Sequence, residues 1–171
     1  AIERLKHIVS KEAFNIDGLG KKVIDHFWKL KLIKNPSDIF ELDFNKIIKL
    51  EGWGDLSVKN LKTAIEKAKN ISLNRFIYSI GIRHIGQENA KILAGFFKDV
   101  NQFSKMLERT NKDELLDNLK DLDGIGETQI FSLKNFFNNN KNVEIVKNLI
   151  TKLNIQNFKE INIKGKLSNI N

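Results

Sequence analysis

Leu50-Glu51-Gly52-Trp53-Gly54 is a turn that the chain repeats. Ile16-Asp17-Gly18-Leu19-Gly20 and Leu122-Asp123-Gly124-Ile125-Gly126 have the same form: an apolar residue, an acid, then two glycines around an apolar side chain. Ile82-Arg83-His84-Ile85-Gly86 is a fourth copy, with Arg83 in place of the acid and His84 in place of the first glycine. The second glycines lie 34, 32 and 40 residues apart. A turn returning at such intervals marks a repeat architecture.

The register runs on past each turn. Four residues after the second glycines stand Ile24, Val58, Ala90 and Ile130; seven after stand Phe27, Leu61, Leu93 and Leu133. Apolar residues at that spacing share one face of a helix that begins just after the turn. Periodic stretches also precede the turns, at Ile2–Val9, Phe44–Ile48 and Glu114–Leu119. The unit is therefore helix, glycine turn, helix. Glycine can take positive φ and lets another backbone come close, which suits both glycine positions of the turn. The apolar residue between them (Leu19, Trp53, Ile85, Ile125) is expected to plug the turn into the core. Asn35-Pro36-Ser37-Asp38 reads as a turn with a capping residue, and residues 138–142 as a polar loop. Strand-like alternation is missing until the last residues, so the expected fold class is all-α, with four tandem helix-hairpin-helix motifs.

Composition narrows the partner. Of 171 residues, 41% are hydrophobic, enough to bury one helical core or two small packed halves. Lys and Arg number 29 against 21 Asp and Glu, a formal charge of +8 that points to a polyanion such as nucleic acid. With no cysteine, a disulfide framework and a thiolate zinc site are excluded within this chain. No apolar run approaches the roughly 20 residues of a membrane span, and Ala1-Ile2-Glu3-Arg4 is no signal peptide, so no membrane partner and a cytoplasmic location are expected. The start without Met suggests a piece of a longer chain.

A glycine turn opening a helix presents free N–H groups and the positive end of a helix dipole. Together these hold a phosphate oxygen without reading bases. Lys21 and Lys22 at the first turn, and Arg83 and His84 at the third, add charge beside it. The second and fourth turns carry Glu51, Asp55, Asp123 and Glu127, so contacts there would rest on backbone amides. His84 reads either as a phosphate ligand or as a structural histidine, while Trp28 and Trp53 read as core. Catalytic signatures are missing. The sixth positions after the first glycines are Val23, Ser57 and Gln129, so no dinucleotide fingerprint forms. Lys120-Asp121-Leu122-Asp123-Gly124 is one residue too long for the nucleotidyl-lysine motif of ligases. No catalytic residue, metal site or cofactor is expected in this chain.

The order of these motifs resembles the helix-hairpin-helix domain of bacterial NAD-dependent DNA ligases. The likeness runs through Arg4-Leu5-Lys6-His7, Ser10, Ala13 and the first two turns with Ser57 and Asn60-Leu61. It continues in Ile80-Gly81-Ile82-Arg83-His84-Ile85-Gly86, Ala90, Leu93 and the fourth turn, covering about residues 2–156. The resemblance implies hairpins arranged as two pairs: residues 1–71 with hairpins one and two, residues 72–156 with hairpins three and four. Residues 157–171 would be a linker or the start of a BRCT domain. It further implies minor-groove binding to nicked double-stranded DNA, beside the adenylation, OB, zinc-finger and BRCT domains of a parent enzyme that uses NAD, magnesium and zinc. Ala1 would then follow the last zinc cysteine. Carried over by position, the DNA-binding residues are Gly18, Gly20, Lys21, Lys22, Gly52, Gly54, Ser57, Arg83, His84, Gly86, Gly124, Gly126 and Thr128. Leu56 departs from the family, which more usually has a basic residue there. Two other readings remain: a tandem helix-hairpin-helix module of another DNA repair or recombination protein, and a helical interaction module with no DNA role.

Overall fold

Four helices start on the second glycine of a repeated turn. The computed structural model describes residues 1–108, 110, 112–161 and 167–168. Helix α1 spans Ile2–Ile8 and α2 Lys21–Lys29, followed by a 3-10 turn over Pro36–Glu41. Then come α3 (Phe44–Ile47), α4 (Asp55–Ala68), the short strand β1 (Asn70–Ser72) and α5 (Leu73–Ser79). Helix α6 (Gln87–Phe97) leads to α7 (Val100–Phe103), a 3-10 turn over Ser104–Leu107 and α8 (Lys112–Leu119). The last helices are α9 (Glu127–Phe137) and α10 (Asn140–Lys152), and strand β2 is Asn154–Gln156. Strands β3 (Glu160–Ile161) and β4 (Leu167–Ser168) pair antiparallel. The fold is all-α apart from these short pairs. The rest of the expected lead-out, residues 162–166 and 169–171, lies outside the described residues.

The expected helix faces are the buried ones. Ile24, Val58, Ala90, Phe27, Leu61, Leu93 and Leu133 are buried, and Ile130 packs half-buried against them. The turn plugs Leu19, Ile85 and Ile125 are buried, while Trp53 is half-buried with its ring 5.6 Å from that of Phe27. One apolar cluster runs from Leu5 to Leu149. Phe103 sits at a crossing within it, with its ring centroid 6.3 Å from Phe76, 5.3 Å from Phe97 and 5.9 Å from Phe137. Those rings come from α5, α6 and α9, so one side chain joins both helices of the third hairpin to the second helix of the fourth.

The Asn35-Pro36-Ser37-Asp38 turn is closed as a reciprocal cap. The Ser37 N–H donates to Asn35 Oδ1 at 3.0 Å and the Asn35 N–H to Asp38 Oδ2 at 3.1 Å. Residues 138–142 differ from the expected loop: α10 already begins at Asn140, because Asn139 Oδ1 accepts from the Asn142 N–H at 3.1 Å and caps the helix. The other difference is β1, which pairs in parallel with β2 across 84 residues of sequence, Asn70 opposite Asn154. Three residues are too few to show a period of two.

Removing the ring that joins these helices leaves a cavity where three aromatic contacts met. Phe103→Ala is expected to destabilise the fold by about 3–5 kcal/mol, read as a lower midpoint in urea unfolding. A loss under about 1 kcal/mol would show that the ring cluster is not the structural centre.

Candidate nucleic-acid interface

Each turn bends through a left-handed residue at its third position. Gly18, Gly52 and Gly124 have φ of 90°, 85° and 90°, and His84 fills the same place at φ 65°. Histidine tolerates this region better than most residues with a Cβ. The second glycines behave differently. Gly20, Gly54, Gly86 and Gly126 have φ of −78°, −142°, −85° and −100°, which any residue can adopt. At Gly20, Gly54 and Gly86 an added Cβ would find nothing within 4 Å. Neither backbone strain nor internal packing calls for glycine there. What glycine leaves is open space on the outside of the turn.

These glycines are the N-caps of α2, α4, α6 and α9. A glycine cap has no side chain to accept from the amides of the first turn, so residues 21–23, 55–57, 87–89 and 127–129 present their N–H groups outward. The cap residue's own N–H is held in three of the four turns. The Gly54 N–H donates to Ser57 Oγ at 2.9 Å, the Gly86 N–H to Asn89 Oδ1 at 3.4 Å, and the Gly126 N–H to Gln129 Oε1 at 3.0 Å. Val23 stands at the matching position of the first turn and cannot accept. Ser57 thus has a local task, since its hydroxyl also donates to Gly54 O at 3.1 Å.

The remaining expected site residues, Gly18, Gly20, Lys21, Lys22, Gly52, Gly54, Arg83, His84, Gly86, Gly124, Gly126 and Thr128, are all exposed at or beside the turns. Lys21 and Lys22 occupy the first two positions of α2, whose first turn has no acid, whereas α4, α6 and α9 carry Asp55, Glu88 and Glu127 there. Cations at the positive end of a helix dipole are unfavourable by about 0.3–1 kcal/mol each unless an anion joins them. Local stability alone therefore does not explain these lysines.

Contacts tie neighbouring turns together. Leu61 of α4 reaches to 3.6 Å of where a Cβ on Gly18 would stand, and the Phe27–Trp53 rings join the same two turns. Between turns three and four, Asn89 Nδ2 donates to Gly124 O at 2.9 Å and His84 Nδ1 lies 3.0 Å from Ser132 Oγ. His84 is thus both exposed and held by α9. Asn89, which the repeat pattern did not single out, caps one turn and holds the next.

The arginines divide. Arg4 donates to Asn142 Oδ1 at 2.9 Å with its guanidinium 5.8 Å from the Phe136 ring centroid, and burial lowers its pKa. Arg75 donates from Nε to Ala13 O at 2.9 Å and also to Lys11 O, tying the loop before turn one to α5. Arg83 is exposed at turn three.

Known proteins match this pattern. A family model described as a helix-hairpin-helix motif matches residues 75–146. A DNA ligase of Pelagibacter ubique is 53% identical over 99% of the chain. DNA ligases of Rickettsia bellii and Rickettsia conorii are 42% and 44% identical over 97% and 92% of it. Over nearly its whole length the chain is thus similar to one segment of these DNA ligases, and it carries the helix-hairpin-helix motif within residues 75–146. The segment spans about a quarter of these relatives, 24% of the first and 25% of the second. No helix among its described residues is long and apolar enough to cross a membrane.

Asn89→Ala removes both the cap on Gly86 and the link to Gly124. A loss of about 1 kcal/mol is expected, read by urea unfolding. Unchanged stability would mean that turns three and four are held by apolar packing alone.

Proposed function

We propose that this segment binds the backbone of nicked double-stranded DNA without reading its sequence, as the helix-hairpin-helix domain of an NAD-dependent DNA ligase acting in replication and repair. One observation carries the reading: three of the second glycines, Gly20, Gly54 and Gly86, leave space that neither their φ angles nor the surrounding packing requires. Such space suits an outside group that must come close to backbone amides, and a phosphate oxygen is that group. Lys21, Lys22 and Arg83 are exposed beside those amides on a chain of formal charge +8. Similarity to DNA ligases supplies the nucleic acid.

In this role the exposed amides, with Lys21, Lys22, Arg83, His84 and Thr128, hold phosphates on both sides of the nick. Ser57 serves by fixing the start of α4. Contacts to phosphate position a protein without specifying bases. The bond-forming chemistry, with NAD, magnesium and zinc, belongs to the adenylation, OB and zinc-finger domains of the parent enzyme, and a BRCT domain is a further partner.

Glycine substitution separates binding from folding. Gly20→Ala and Gly54→Ala are expected to change stability by less than about 1 kcal/mol yet weaken duplex binding by roughly tenfold, about 1.4 kcal/mol. Fluorescence anisotropy on nicked and intact duplexes reads the affinity, and thermal unfolding reads the fold. Affinity equal to that of the unsubstituted chain would sink the phosphate role of the turns. In a salt series, Lys22→Ala and Arg83→Ala should each reduce the slope of log K against log salt by about 0.9. Tighter binding to the nicked duplex is expected; equal affinity would remove the nick from the reading.

A further inference from the structure

We infer that Leu56 and Phe131 are apolar DNA contacts, resting against the deoxyribose edges beside the phosphates taken by the second and fourth hairpins. The inference depends on the DNA-binding reading above and adds a non-ionic component to it.

Among the described residues, four large apolar side chains are exposed: Leu30, Ile48, Leu56 and Phe131. Leu56 is 71% exposed and Phe131 65%, well above Leu30 at 44% and Ile48 at 38%. The two most exposed both lie on a helix that starts at a turn glycine, one helical turn apart in register. Leu56 is the second residue of α4, after Gly54, and Phe131 is the fifth of α9, after Gly126. Neither faces the core, which takes Val58 and Leu61 from α4 and Leu133 from α9.

Position relative to the free amides names the occupant. The N–H of Leu56 belongs to the uncapped first turn of α4, so a phosphate held there brings its own sugar against the leucine side chain. Thr128 is the second residue of α9, and Phe131 lies three residues further on, on the same helix face. Exposed lysines continue both faces at the next i+3 step, Lys59 after Leu56 and Lys134 after Phe131. Apolar and cationic side chains in succession match a strand that alternates sugar and phosphate.

The hairpins then divide the work. Turns one and three carry exposed cations, Lys21 and Lys22 in one and Arg83 in the other. The helices after turns two and four begin with an acid, Asp55 or Glu127, and carry the exposed apolar side chain instead. Each pair of hairpins would grip one stretch of backbone by charge and another by amides with apolar contact.

The test is anisotropy of the whole chain on a labelled nicked duplex across a salt series, with Leu56→Ala, Phe131→Ala, Leu56→Lys and, for comparison, Lys22→Ala. Both alanine variants should bind roughly three- to tenfold more weakly at every salt concentration, with the salt slope unchanged. Leu56→Lys should steepen the slope by about 0.9, because it exchanges an apolar contact for an ionic one. Exposed positions keep the fold intact, which equal thermal unfolding midpoints would verify. If the alanine variants bind as tightly as the unsubstituted chain while Lys22→Ala weakens binding, the apolar contacts are wrong and the DNA reading stands. A shallower slope in Leu56→Ala would also overturn the proposal, since it would signal a lost phosphate. No saturable binding by the unsubstituted chain at low salt would overturn both.

Discussion

A helix that begins on glycine leaves its first amides without a side-chain acceptor, and α2, α4, α6 and α9 all begin that way. The turn that delivers each start needs a left-handed residue two positions earlier, which Gly18, Gly52, His84 and Gly124 supply. This local constraint sets where the helices point, which residues plug the core and which amides face solvent. Helix burial and amide exposure therefore follow from one five-residue element.

Packing then fixes the turns relative to one another. Phe103 gathers rings from α5, α6 and α9. Asn89 and His84 bridge turns three and four by polar contacts, while turns one and two meet through Leu61, Phe27 and Trp53. The two neighbouring sets thus use different means, polar ties in one and apolar contact in the other. Strand β1, between them in sequence, is paired with β2 from the far end of α10.

Charge is spent unevenly. Arg4 and Arg75 are engaged by Asn142, Ala13 and Lys11, so these two arginines act inside the fold. Lys21, Lys22 and Arg83 remain exposed at helix starts. Two lysines at the positive end of α2 oppose its dipole, a local conflict of the kind that marks sites shaped for a ligand.

Much of this was legible in the sequence because spacing governs local backbone. The repeated glycine turn, the four helix starts, the buried positions four and seven residues on and the basic balance all follow from residue order and count. Tertiary structure decided what depends on which side chains meet. Ser57 looks like a ligand-facing hydroxyl until its bonds to Gly54 appear. The same spacing put Asn89 and Gln129 in cap positions, but a repeat defined by glycines and apolar residues gives no weight to polar side chains three residues on. Ser132 beside His84, and Asn154 opposite Asn70, lie 48 and 84 residues from their partners. No periodicity reaches that far, because such pairs form only once the helices between them have packed.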